Sequence, residues 1–319
     1  MCGIIGIVGQ TSTALSPSAV VLEGLKRLEY RGYDSAGVAA TSARGIEIRR
    51  APGKVSALEA LMQQNPFQGT INAAMGHTRW ATHGEPTERN AHPHVVGHVA
   101  VVHNGIIENH QELRQQLQAQ GVVFQSETDT EVIPALINHF YQAKQDATGA
   151  VQQALAQLKG AFALGVMFTD APEVLYAARR GSPLLIGFGP QCHYLASDAL
   201  ALAPFTQEVL YLEPDDLALL TPTDVTVWNG HGQTVQRARH QVSPQALNTD
   251  KHGFDSFMRK EIAEQPTVVA RTLQQYLKPG QNRVTLPALP FDLAAVDHIR
   301  MIACGTSYHS CLATRAIFE

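Results

Sequence analysis

Cysteine is scarce in this sequence, with four in 319 residues. Four scattered cysteines form no disulfide framework; they fit reduced thiols and a cytoplasmic location. Charge is scarce too: 16% of residues are Asp, Glu, Lys or Arg, and the net charge is −4. That balance gives no reason to expect nucleic acid or an anionic membrane as partner. Long apolar runs are missing, and none approaches the ~18–20 residues of a membrane helix. The N-terminus, MCGIIGIVGQ, lacks the basic and long apolar regions of a secretory signal. There is no GxGxxG, P-loop or pyridoxal-type pattern, so no cofactor is expected. Repeats and low-complexity tracts are absent as well. A hydrophobic fraction of 45% excludes a disordered chain, and the length suits about two domains.

The apolar runs that do occur are short. Residues 3–8 (GIIGIV) read as a buried strand starting almost at residue 1. Residues 17–28 have helical spacing, with Ser16 as N-cap and Pro17 in the first turn. Strands are expected at 36–41 and 46–50, and a short helix at 56–62. Residues 72–110 read as polar, glycine-bearing loops around one strand at 95–102. Helices are expected at 108–120, 129–143 and 150–158. Short apolar runs at 161–168, 174–177, 184–188, 209–212, 217–220 and 225–228 predict antiparallel strands joined by turns. Strands at both ends with helices between suggest an α+β layered domain over residues 2–235. A linker is expected over 236–290, polar at 236–253 and then an amphipathic helix at 256–277 that Pro266 kinks or restarts. Residues 291–319 read as strand 299–304, a turn at Gly305–Ser307, and a helix still running at Glu319.

Cys2 is the sharpest chemical feature. Once Met1 is removed, a thiol and a free α-amine share one residue. An α-amino pKa of ~7.7–8.0 makes that amine a usable base near neutral pH. It can then activate its own side chain as a nucleophile. Taken alone, a cysteine after methionine is most often a small hydrophobe, so other motifs must carry the case. Seven histidines lie between His77 and His110, but no Cys pair or HExxH spacing accompanies them, and no metal is expected.

Four motifs stand together: RLEYRGYDSAG at 27–37, GHTRWATHGEP at 76–86, HNGIIENH at 103–110 and SETDTE at 126–131. With them the chain resembles the N-terminal-nucleophile, or class II, glutamine amidotransferases. The likeness is strongest to the branch that aminates fructose-6-phosphate. The resemblance implies a four-layer αββα sandwich, with Cys2 attacking the side-chain amide of glutamine. It implies Asn104 and Gly105 as the oxyanion hole, Arg79 for the substrate α-carboxylate and Asp129 for its α-ammonium. Thr82, His83 and Arg31 would complete the glutamine site, and Trp80 would gate the passage of ammonia. Residues 299–308 resemble the opening of an α/β sugar-isomerase domain, in which Thr306 and Ser307 would bind the sugar phosphate. The implied assembly is a homodimer formed mainly through that domain.

Three other readings stay open. One is a sister amidotransferase with a phosphoribosyl-type synthase domain. Another is a hydrolase with an N-terminal cysteine acting on other amides, against which the Arg79 and Asp129 pair argues. The third is a non-catalytic fragment. The last helix is still running at Glu319, so the sequence is expected to come from either a truncated gene or a longer chain of which it is part. A lone parallel strand has no ladder partners, so residues beyond about 290 are expected to pack poorly.

Overall fold

The computed structural model describes residues 2–11, 15–81, 83–242, 253–277, 284–286, 289–303 and 305–319, apart from the side chain of Phe257. Thr82 and Cys304 therefore lie outside the described residues. The chain divides into two compact units, Met1–Thr249 and Asp250–Glu319.

The first unit holds strands β1 (Gly3–Gly9), β2 (Ser35–Ser42), β3 (Gly45–Pro52), β4 (Ala73–Arg79), β5 (His94–Val96), β6 (Val99–Ile107), β7 (Gly160–Phe168), β8 (Ala171–Arg180), β9 (Leu185–Phe188), β10 (Cys192–Ala196), β11 (Glu208–Tyr211), β12 (Leu217–Leu220), β13 (Val225–Trp228), β14 (Thr234–Val235) and β15 (Arg239–Gln241). Its helices are α1 (Pro17–Leu28), α2 (Val55–Gln64), α3 (His110–Ala119), α4 (Val132–Lys144) and α5 (Ala147–Gln157). One sheet runs β15-β11-β9-β10-β1-β4-β2-β3 and the other β14-β13-β12-β8-β7-β6-β5. Every strand pairing is antiparallel.

Three apolar layers hold these elements together. Helices α1 and α2 cover the outer face of the first sheet. Helices α3, α4 and α5 cover the outer face of the second. A third layer fills the space between the sheets. The result is the expected αββα sandwich. Strand β1 shows why its sequence is apolar throughout. Ile5 and Ile7 face the helices, Ile4 and Val8 face the other sheet, and all four are fully buried. Side chains alternate along a strand, so a strand covered on both faces must be apolar at every position. Helix α1 starts as expected, with the Ser16 hydroxyl accepting from the Ala19 N–H. It rides close to β1 because Gly24 faces the sheet; a Cβ there would sit 2.0 Å from Cδ1 of Ile5.

Several sequence expectations change. Residues 72–110 are not mainly loops: β4 lies at the heart of the first sheet and β6 runs on to Ile107. Strand β4 (AAMGHTR) is small and polar in composition, and its place between β1 and β2 forms it. The strand expected at 95–102 is a hairpin, β5–β6, turned by Gly97 at φ 56° and His98. Residues 239–241, expected in the linker, pair with β11 as an edge strand.

The second unit holds α6 (Phe257–Tyr276) and α7 (Gly305–Phe318). Helix α6 runs through Pro266 as one helix, so the proline does not restart it. The residues around Pro266 are exposed, so water can take up the carbonyl that proline leaves unpaired. Residues 299–303 form no strand, and α7 begins at Gly305 where a turn was expected. Among the described residues, no helix is long and apolar enough to cross a membrane.

Candidate active site

Because β1 begins at Gly3, Cys2 stands where a central strand of the first sheet begins, between β10 and β4. Gly3 pairs with Thr78, so the chain leaving β4 as Arg79 and Trp80 passes beside the thiol. The Trp80 N–H donates to Cys2 Sγ at 3.2 Å. Burial pushes the Cys2 thiol above its ordinary pKa; the Trp80 N–H and the charges of Arg79 and Arg31 pull the other way without cancelling it. The thiol is therefore protonated at neutral pH, and a base must take its proton before it can act as a nucleophile.

The second sheet supplies the facing wall. Asn104 is on β6, and its Nδ2 donates to the backbone oxygen of Cys2 at 3.1 Å. Gly105 follows with φ 133°, and a Cβ there would lie 2.0 Å from the Ala161 carbonyl oxygen, so only glycine fits. The segment before α4 brings Asp129, whose Oδ2 accepts from the Ile107 N–H at 2.8 Å. Asp129 is not the helix cap; one of its carboxylate oxygens is bonded to β6. Two residues that sequence reasoning passed over hold this segment. The Glu131 carboxylate accepts from the N–H groups of Gln125 and Ser126 at 2.8 and 2.6 Å. Arg114 donates to the carbonyls of Ser126 and Thr128 at 3.0 and 3.1 Å.

Arg79 is buried, and its guanidinium donates to three successive carbonyls, those of His83, Gly84 (3.0 Å) and Glu85 (3.2 Å). It thereby folds the 83–85 segment over the site. Asp34, also passed over, accepts from the Ala81 N–H at 2.8 Å and anchors the start of that segment. Trp80 is half exposed and packs edge-on against Tyr33. The His83 ring packs edge-on against His110. Cys2, Arg79, Trp80, His83, Gly105 and Asp129 line one cavity of ≈ 20 Å³, together with His92, His103, Thr128 and Thr130. Arg31 is not in that lining. It is buried beside it, donating to Asp198 at 3.1 Å and the Ser197 carbonyl at 3.2 Å.

In and behind the cavity wall, four histidines are buried: His92 and His103, which line it, and His77 and His94. Burial holds His77 and His94 down at about 3 and His103 at about 4, and pulls His92 down as well. All four are neutral at pH 7. Among the described residues, no group of three His, Cys, Asp or Glu side chains is arranged to hold a metal ion. Thr306 and Ser307 occupy the first turn of α7 in the second unit and are exposed. A thiol flanked by an amide donor and an obligatory glycine is an arrangement for acyl transfer.

Residues 77–204 match the family described as a glutamine amidotransferase domain. The solved amidotransferase from B. subtilis, described as glutamine phosphoribosylpyrophosphate amidotransferase complexed with ADP and GMP, superposes with a TM-score of 0.57. It is 26% identical over 76% of this chain and 49% of its own. The fold and the domain match are those of the glutamine amidotransferases of the N-terminal-nucleophile class. Within that class its sequence is homologous over its whole length to the enzymes named glutamine--fructose-6-phosphate aminotransferase [isomerizing]. The relative from Zymomonas mobilis is 47% identical and that from Pseudomonas putida 48%, each over 100% of this chain. The chain spans about half the length, 52%, of those relatives.

Proposed function

We propose that this chain is the ammonia-producing half of a glutamine--fructose-6-phosphate aminotransferase, with Cys2 as its nucleophile. The observation that carries the reading is the Cys2 thiol at the start of β1, lining one small cavity with Gly105 while the Asn104 amide donates to the Cys2 backbone oxygen. After removal of Met1, the Cys2 α-amine takes the thiol proton, and Sγ attacks the side-chain carbonyl carbon of glutamine. The carbonyl oxygen becomes an oxyanion, and the Asn104 amide and Gly105 N–H stabilise it by about 3–4 kcal/mol each. The α-ammonium then returns the proton to the leaving nitrogen. Ammonia departs and a thioester remains on Cys2. Water attacks the thioester, releasing glutamate and restoring the thiol.

Arg79 would bind the α-carboxylate of free glutamine and Asp129 its α-ammonium, with His83 and Thr82 around them, Trp80 as the gate and Arg31 behind, held by Asp198. A cavity of ≈ 20 Å³ holds about one water molecule. Binding glutamine therefore requires the 83–85 segment to move and Arg79 to exchange carbonyl partners for the carboxylate. The sequence identity to the fructose-6-phosphate enzymes favours that sugar as acceptor over a phosphoribosyl substrate. Thr306 and Ser307 would bind its phosphate in a homodimeric, cytoplasmic protein. Intact-mass measurement paired with a glutamate-release assay tests the core of the reading. Protein starting at Cys2 should hydrolyse glutamine and protein retaining Met1 should not, because its Cys2 nitrogen is an amide. Full activity with Met1 retained overturns the mechanism.

A further inference from the structure

His77 ends in a contact that fixes which way round the Asn104 side chain stands. It lies near the end of β4 and is buried, with its ring against His92 at 4.1 Å between centroids. Its Nε2 is 2.9 Å from the His103 backbone oxygen and 3.0 Å from Asn104 Oδ1. A backbone carbonyl can only accept, so Nε2 must carry a proton. Nδ1 is buried with no hydrogen-bond partner, so nothing holds a proton on that side. The ring is neutral, as its burial requires. The neutral ring has one N–H, and both facing oxygens share it.

The consequence falls on Asn104. An amide is nearly symmetric in shape but opposite in polarity at its two ends. With an N–H facing it from His77, the near end must be the carbonyl oxygen. The NH₂ end then points away, toward Cys2, where it already meets the Cys2 backbone oxygen at 3.1 Å. A reversed amide would turn lone pairs toward the forming oxyanion and oppose its charge. We infer that His77 is a positioning residue for the oxyanion hole: its Nε2–H holds the Asn104 amide with its donor end toward the reacting carbonyl. This rests on the glutaminase reading for the identity of the reaction. The orientation of the amide rests on the hydrogen bonds alone.

The test compares glutamine hydrolysis by the wild-type chain, His77→Leu, His77→Gln, Asn104→Ala, and the pair His77→Leu with Asn104→Ala. His77→Leu should lower kcat about 100-fold, the cost of one oxyanion donor, with KM for glutamine within about threefold. In the Asn104→Ala background the same change should cost no more than about twofold, because its effect passes through Asn104. His77→Gln, whose amide can donate to both oxygens, should return kcat to within about tenfold of wild type. A purely structural role would instead cost the same in both backgrounds, and that result overturns the inference, as does an unimpaired His77→Leu. Should His77→Leu fail to fold, His77→Gln and the spectroscopic arm decide. In ¹⁵N-histidine spectra of the wild-type chain, a proton on Nε2 of His77 supports the inference and one on Nδ1 overturns it. A wild-type chain without glutaminase activity would sink the proposed function, and the tautomer would still decide the positioning role.

Discussion

Residues 3–8 (GIIGIV) and 299–303 (IRMIA) are both short apolar runs, and both read as buried strands. The first becomes β1, paired on one side to β10 and on the other to β4, with its four large side chains fully buried. The second has no regular structure, and its Ile302 is 93% exposed. The difference lies in the company each run keeps. A strand's N–H and C=O groups are satisfied only by neighbouring strands, so apolar sequence is necessary for it and not sufficient. Helices close their own hydrogen bonds. That is why α6 forms although its Ile262, Val268, Val269 and Leu273 are all exposed.

The sharpest break in this comparison would come from Cys2→Ala. Cys2 borders a strand buried along its whole length, yet the role proposed for its thiol is chemistry and not packing. Glutamate release should fall by about 10⁴-fold or more, as when a nucleophile is removed elsewhere. The melting temperature should stay within a few degrees of wild type. A large loss of stability would mean that the residue belongs to the core like its neighbours. Next in size is Ile5→Ala, which removes a fully buried side chain between β1 and α1. It should cost about 2–5 kcal/mol in urea unfolding. A cost under about 1 kcal/mol would deny that β1 is the packed centre of its sheet.

The buried histidines sharpen the picture through pH. His77, His94 and His103 are held at about 3, 3 and 4 when folded, against an unperturbed value near 6.5. Below about pH 6.5 the unfolded chain takes up these protons and the folded chain does not. Stability is therefore fully present above that pH and declines as pH falls toward the folded values. The slope should reach about 1.4 kcal/mol per pH unit for each histidine involved. Urea midpoints taken between about pH 7 and about pH 5 measure it, and His77→Gln should flatten the slope by one histidine's share. A midpoint unchanged over that range would mean that the cluster is hydrated in solution.

Much of the fold was legible because periodicity and turns report it directly. β12 and β13 run over the spans their sequences predict, Leu217–Leu220 and Val225–Trp228, and α1 carries its serine cap. β4 was hidden because Ala, Gly and His carry little strand signal, and its position between two other strands forms it. In the site, motif reading brought together Cys2, Arg79, Trp80, His83, Gly105 and Asp129, with Asn104 bonded to the backbone of Cys2. Arg31 stands aside because Asp198, far away in sequence, captures its guanidinium. His77, Asp34 and Glu131 sit inside the same motifs and went unread. Their partners are the His103 carbonyl and Asn104 amide, the Ala81 N–H, and the N–H groups of Gln125 and Ser126, and hydrogen bonds of that kind leave no spacing in a sequence.

The smallest effect tests the other half of the comparison. Ile302→Ala shortens the same kind of side chain as Ile5→Ala, but at a position 93% exposed. Burial, not hydrophobicity, sets the cost of truncation, because an exposed side chain already meets water in the folded state. The change should therefore move the urea midpoint by no more than about 0.5 kcal/mol equivalent. Hydrogen exchange across 299–303 should be fast in both forms, since no ladder protects those amides. Slow exchange, or a cost approaching that of Ile5→Ala, would mean that this run has found strand partners in solution. The contrast between the two apolar runs would then disappear.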